Sequence, residues 1–327
     1  MTAGLTDGFG RRLEYLRLSV TDRCNFRCSY CLPNGCPSGS GDRPLSLEEI
    51  GRLARAFAAL GFWKVRVTGG EPTLRGDIVE IVERVAATPG ITRVGLTTNG
   101  YRLAGLAGPL RRAGLSALNV SVDSLDPARF EQITGHGRLT EILAGVDAAV
   151  EAGIPTVKVN VVLLRGLSDA ELDRFISLSR HLPVTVRFIE LMRTDDNADY
   201  YERSYLPATE VIRKLARLGW RKAPRQPGDG VAELHRHPDH PGRFGFIAPY
   251  GNKFCGDCNR LRVSSSGGLQ LCLFGDGSVP LRPLLAADSQ HEALTQRIAA
   301  AVLAKPAAHR LDQGHSGTTT SLATIGG

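Results

Sequence analysis

Cys24, Cys28 and Cys31 stand in the stretch Cys24-Asn25-Phe26-Arg27-Cys28-Ser29-Tyr30-Cys31, separated by three residues and then by two. Thiols this close can converge on one centre, and soft sulfur ligands select zinc or an iron–sulfur cluster. A structural zinc ion wants four closed protein ligands. No fourth Cys or His follows in register, and Cys36 lies in a run of Asn, Gly, Pro and Ser that reads as loop. Three thiolates on a four-iron cluster instead leave one iron open to another ligand. The spacing therefore favours a cluster, with zinc still open. A second set follows downstream: Cys255 and Cys258 have two residues between them, and Cys272 comes after thirteen more. A zinc knuckle completed by His235, His237 or His240 fits this spacing as well as a second cluster does. The adjacent Arg260 and Arg262, and a cluster already inferred upstream, favour the cluster.

The elements that must position these thiols alternate in type. Strand-like runs occupy 15–22, 64–68, 93–98, 117–123, 157–164 and 185–191. Amphipathic stretches at 46–60, 77–87, 139–152 and 168–182 lie between them, with one more at 207–218. Ser46-Leu47-Glu48-Glu49 and Ser168-Asp169-Ala170-Glu171 have capping-box spacing and mark helix starts. Six strand–helix units predict an α/β fold: a parallel sheet with helices outside, curved as a partial, incomplete TIM-type barrel. The first triad then sits on the loop leaving the first strand.

Parallel strands covered by helices should read as almost continuously apolar. These alternate instead. Arg17, Ser19, Thr21, Lys64, Arg66, Thr68, Asn119, Ser121, Asp123, Lys158, Asn160 and Arg187 interleave with Leu18, Val20, Val65, Val67, Val120, Val122, Val159, Val161 and Phe188. Helices must pack on the apolar set, so the polar set faces inward. A packed barrel interior would reject cations at 17, 64, 66, 158 and 187. The pattern predicts an open, wet lumen that holds an anion. Gly69-Gly70-Glu71-Pro72 follows the second strand, Thr97-Thr98-Asn99-Gly100 ends the third, and barrel active sites are built at such strand ends.

Composition sets the outer bounds. The chain has 327 residues, 42% hydrophobic and 22% charged, as in an ordinary soluble protein. The opening residues lack the apolar core of a signal peptide, and no run approaches a membrane span, so a cytoplasmic location is expected. Seven cysteines in that compartment read as thiols or metal ligands rather than disulfides. The formal charge of +7 suits an anionic partner. A Pro, Gly, His and Arg-rich stretch at 223–242 predicts a division between a barrel region, 1–222, and a C-terminal region, 223–327.

The first triad, with Tyr30 before its third Cys and Gly-Gly-Glu-Pro at 69–72, resembles the radical S-adenosylmethionine (SAM) enzymes. Taken with Cys-x2-Cys-Asn-Arg-Leu-Arg at 255–262, Cys272 and the terminal Ile325-Gly326-Gly327, the chain is similar over nearly its whole length to the GTP 3′,8-cyclases of molybdenum-cofactor biosynthesis. The resemblance implies two [4Fe–4S] clusters, on Cys24, Cys28 and Cys31 and on Cys255, Cys258 and Cys272. SAM would contact Tyr30, Gly69, Gly70, Glu71, Ser121 and Met192. GTP would be held by Arg17, Arg66, Thr97, Lys158, Arg187 and the Arg260, Leu261, Arg262 segment, with Arg260, Arg262, Gly326 and Gly327 serving the cyclisation. A 5′-deoxyadenosyl radical would remove hydrogen from the ribose C3′, and the carbon radical would attack purine C8. The implied partners are an electron donor such as flavodoxin or ferredoxin, a downstream cyclic pyranopterin monophosphate synthase, and a second copy in a homodimer.

Other readings fit parts of the chain. A related radical enzyme acting on another nucleotide or on a peptide would share the barrel and clusters. A basic zinc protein that binds nucleic acid would use the +7 charge and the Cys-x2-Cys pair, but it needs cations on an outer face with stacking aromatics. Aromatics are only 6% of this chain, and its telling cations fall at inward positions.

Overall fold

The computed structural model describes residues 4–33, 35, 43–224, 230–251 and 254–319. Cys36, Gly326 and Gly327 lie outside the described residues.

One sheet carries the chain. Its strands are β1 (Tyr15–Ser19), β2 (Lys64–Thr68), β3 (Arg93–Thr98), β4 (Leu115–Ser121), β5 (Val157–Leu163), β6 (Thr185–Glu190), β7 (Arg221–Lys222), β8 (Glu233–Arg236), β9 (Arg243–Ile247), β10 (Arg260–Val263), β11 (Gly268–Gln270) and β12 (Val279–Pro280). They lie in the order β12-β11-β10-β1-β2-β3-β4-β5-β6-β9-β8-β7. The six expected strands pair in parallel and in sequence. Two further strands join the parallel array: β10 pairs with β1, and β9 with β6. The remaining pairings, at both ends of the sheet, are antiparallel. The two ends of the sheet do not pair with each other among the described residues, so the barrel is partial.

Six helices follow the first strands: α1 (Leu47–Ala59), α2 (Ile78–Ala86), α3 (Leu103–Arg112), α4 (Pro127–Thr134), α5 (Leu139–Glu151) and α6 (Asp169–His181). Ser46 caps α1 with a complete capping box, its hydroxyl on Glu49 N and the Glu49 carboxylate on Ser46 N. Ser168 caps α6 alone, because the Glu171 carboxylate turns instead to Ser124 and Arg129. Among the described residues no helix is long and apolar enough to cross a membrane.

The core lies between the sheet's outer face and these helices. Leu16, Leu18, Val20, Val65, Val67, Val120, Val122, Val159, Val161 and Phe188 are all buried in it. Burial of a side chain of this size stabilises by about 1.5–3 kcal/mol. That preference fixes which face each strand turns outward, and it leaves the interleaved polar residues to the lumen.

Candidate active site

Two cavities lie in the lumen. The upper one is lined by Cys24, Cys28 and Cys31, with Tyr30, Gly69, Gly70, Ser121, Asp123 and Met192. All of these residues sit at or beyond the C-terminal ends of strands. The lower one is lined by Arg17, Lys64, Arg66, Lys158, Arg187, Arg260 and Arg262, together with Cys255, Cys258 and Cys272. Thr97, Asn160, Ile189 and Met192 line both, so the cavities meet.

The loop carrying the first triad is pinned to the Gly-Gly-Glu-Pro turn. Gly70 N donates to Thr21 O at 2.8 Å, and Glu71 N to Arg23 O at 2.7 Å. A Cβ on Gly70 would lie 2.2 Å from the Arg23 carbonyl oxygen, and one on Gly69, at φ +156°, 2.4 Å from that of Thr21. Close approach of two backbones, more than room for a ligand, therefore demands glycine here. The Glu71 side chain turns away from the cavity. Its buried carboxylate accepts from Thr73 N and Thr73 Oγ1, from Thr98 Oγ1 at 2.7 Å and from Asn99 N at 2.6 Å. It braces the turn after β2 against the end of β3 and does not line the cavity. Tyr30 Oη donates to Asp123 Oδ2 at 2.7 Å, and Val162 N donates to Asp123 Oδ1 at 2.9 Å. Burial lifts the Asp123 carboxyl to about 6 despite these two donors.

The donor sets fit iron–sulfur clusters. Burial, then Asp123 and the two neighbouring thiols, push the Cys28 thiol well up. Such a thiol gives up its proton when a metal cation takes the proton's place. Among the described residues no three His, Cys, Asp or Glu side chains converge tightly enough to hold a single ion. Each triad lines a cavity, and three thiolates that leave one position open suit a multi-iron core. His235, His237 and His240 pack with Glu233, Trp220 and Phe246, and the imidazole that lines the lower cavity is His309. None of the three histidines expected to complete a zinc knuckle lines the cavity of the second triad.

The lower cavity is built for an anion. Burial, then Arg187, Arg66 and Lys64, lower Lys158 to about 7. Burial likewise lowers Arg187 and Arg262 to about 9 and Arg17 to about 10. Their mutual repulsion is only partly offset, by Tyr15 and by the thiols of Cys258 and Cys272. The buried Arg262 Nε and Asn119 Oδ1 have no hydrogen-bond partner. Arg66 Nε donates to Tyr15 Oη at 2.7 Å and its Nη1 to Leu96 O at 2.9 Å. Arg187 Nε and Nη2 both donate to Asn160 Oδ1. The cavity has a volume of about 250 Å³ and opens to solvent. The cations face this interior, which removes the support for an outer nucleic-acid surface.

Leu261 turns its side chain into the outer core, between the inward Arg260 and Arg262. Tyr15 was missed, although the same alternation that selected Arg17 selects it. Burial works to raise its phenol, but Arg66, Arg17, Lys64 and Arg260 together bring it down to about 6. Lys64 Nζ lies 4.6 Å from its ring centroid.

A three-thiol loop at the C-terminal end of the first strand of a partial parallel barrel defines a radical SAM protein. The model for the Radical SAM superfamily matches residues 18–178, and that for Molybdenum Cofactor Synthesis C matches residues 184–311. In fold the chain is similar to Streptococcus suis SuiB bound to S-adenosylmethionine, with a TM-score of 0.63 at 13% identity over 89% of this chain and 68% of that one. It is 54% identical over 323 residues to a GTP 3′,8-cyclase of Stenotrophomonas maltophilia strain K279a, covering 99% of each. It is 52% identical over 328 residues to a GTP 3′,8-cyclase of Aeromonas hydrophila, covering 99% of this chain and 96% of that one. The chain belongs to the GTP 3′,8-cyclase family.

Proposed function

We propose that this chain binds GTP in the lower cavity and converts it to 3′,8-cyclo-7,8-dihydro-GTP, the first step of molybdopterin synthesis. The carrying observation is that the two three-thiol cavities meet at Thr97, Asn160, Ile189 and Met192, and that the inward cations line the lower one. A nucleotide whose phosphates lie against Arg17, Arg66, Lys158 and Arg187 presents its sugar to that junction and its base to the second triad.

Cys24, Cys28 and Cys31 would hold one [4Fe–4S] cluster with SAM, and Cys255, Cys258 and Cys272 the other. When bound, the first supplies one-electron cleavage of SAM and the resulting 5′-deoxyadenosyl radical. The chain's own residues bind and orient. Tyr30 and Asp123 form the wall beside the first triad, and Ser121 and Met192 close the SAM side. The inward cations neutralise about four negative charges on a triphosphate and fix the ribose within the short reach that hydrogen transfer needs. Arg260 and Arg262, on β10 beside β1, place charge next to both the nucleotide and the second triad. Gly326 and Gly327 belong to this reading as residues that serve the cyclisation. The division into residues 1–222 and 223–327 belongs to this reading, supported by the second triad's place around β10 and β11. So do a cytoplasmic setting, a flavodoxin or ferredoxin donor, a cyclic pyranopterin monophosphate synthase downstream and a homodimer.

Anaerobically reconstituted protein should carry about eight iron and eight sulfide per chain. With SAM, GTP and a reductant it should then yield 5′-deoxyadenosine together with the cyclised nucleotide. Stoichiometric zinc with little sulfide, or 5′-deoxyadenosine without loss of GTP, would overturn the proposal.

A further inference from the structure

The second thiol set is gripped from outside its own segment by two cations that the nucleotide reading does not use. Arg11 precedes β1, and its Nη1 donates to the Cys255 carbonyl at 3.0 Å. The same guanidinium donates to Ala307 O at 2.7 Å and to Pro306 O at 2.6 Å, while Asp7 Oδ2 fixes its Nε at 2.7 Å. Lys305 is only 3% exposed. Its Nζ donates to the Arg260 carbonyl at 3.2 Å and to the Leu271 carbonyl. Arg260 stands two residues beyond Cys258, and Leu271 immediately precedes Cys272. All three thiol-bearing segments are thus tied, through two side chains, to the single turn 305–307 that follows the helix His291–Val302.

A lysine this buried needs compensation for its lost hydration. Two carbonyls satisfy two of its three N–H donors. The negative groups facing it are the sulfur atoms of Cys258 and Cys272, and the opposing cations are Arg11 and Arg262. A lysine whose task were only to end a helix would have no reason to sit between two cysteine segments. Groups around the ligands of a metal site set the ligands' orientation and tune the metal's electronic character.

We propose that Arg11 and Lys305 form a two-cation clamp that sets the positions of Cys255, Cys258 and Cys272, and that Lys305 also places positive charge against the thiolates of the second cluster. Both are positioning residues. The proposal rests on the assignment of a cluster to the second triad. A cation beside a cluster favours its reduced form, so removing Lys305 makes that cluster harder to reduce.

The test uses the full chain with Cys24, Cys28 and Cys31 changed to Ala, reconstituted anaerobically so that only the second cluster loads. Iron and sulfide are assayed, and the cluster is titrated by electron paramagnetic resonance. Lys305→Met should lower iron retention severalfold or shift the midpoint to more negative potential, and Lys305→Arg should restore both. Arg11→Gln should lower iron retention and leave the midpoint of whatever cluster remains little changed. Unchanged iron and midpoint in Lys305→Met overturn the tuning role, and unchanged iron in Arg11→Gln overturns the clamp. If Lys305→Met does not fold, Arg11→Gln alone decides. Thermal unfolding with Cys255, Cys258 and Cys272 all changed to Ala gives a second check. There Lys305→Met should cost little, whereas full destabilisation would make Lys305 a fold residue only. Absence of any cluster in the parent with its second triad intact overturns the cluster assignment itself, a failure distinct from the other two.

Discussion

Lys158 couples nucleotide binding to proton uptake. Burial and the neighbouring Arg187, Arg66 and Lys64 bring it down to about 7 from an ordinary 10.5. The free site therefore sheds this proton as the pH rises through about 7. A triphosphate beside it supplies opposite charge and restores the proton, so binding takes up a proton and affinity falls with rising pH. Between pH 7.5 and 8.5, where the triphosphate is fully ionised, the charged fraction of Lys158 drops about eightfold, or about 1.2 kcal/mol. Tyr15, at about 6, adds to the effect, because its phenolate must also be protonated to sit beside phosphate. Isothermal titration of GTP into the holoenzyme, in two buffers of different ionisation enthalpy, measures the uptake directly. Lys158→Met should bind more weakly at pH 7 and take up about one proton fewer above pH 7.5. An identical proton count and pH slope in wild type and Lys158→Met would refute the reasoning.

Two further substitutions probe the frame and the tail. Gly70→Ala puts a methyl group 2.2 Å from the Arg23 carbonyl oxygen and must displace the loop that carries the first triad. Iron should fall to about half and SAM cleavage should be lost, while iron bound by the second triad persists; full iron content would contradict the packing account. Deleting Gly326 and Gly327 should leave thermal stability and iron content nearly unchanged and sharply reduce the cyclised nucleotide. Product formation at the full-length rate would remove any role for that end.

Much of the site was legible because burial and alternation speak the same language. Arg17, Arg66, Lys158 and Arg187 could be placed in the lumen from the period of two alone, since the apolar partners on each strand had only one place to go. Tyr15 obeyed the same rule and was still missed, because a tyrosine beside an apolar residue carries no charge to draw attention. A matching motif named Arg260, Leu261 and Arg262 together, and the strand turns the Leu261 side chain to the outer core because only alternate residues face inward. Glu71 lay in a motif whose glycines line the cavity, and only the folded hydrogen bonds reveal a brace. β9 and β10 were not anticipated as parallel strands because each pairs with a strand distant in sequence. The clamp of Arg11 and Lys305 joins residues nearly three hundred positions apart, which no local pattern encodes.

The central claim is that the junction of the two cavities brings the ribose C3′ of GTP to the radical generated at the first triad. The most direct measurement uses GTP deuterated at C3′, incubated anaerobically with the reconstituted protein, SAM and a reductant, followed by mass analysis of the 5′-deoxyadenosine. The geometry predicts one deuterium carried into 5′-deoxyadenosine alongside the cyclised nucleotide. If 5′-deoxyadenosine forms in quantity without the label while the labelled nucleotide is consumed, the hydrogen comes from elsewhere, and the placement of GTP across that junction is wrong.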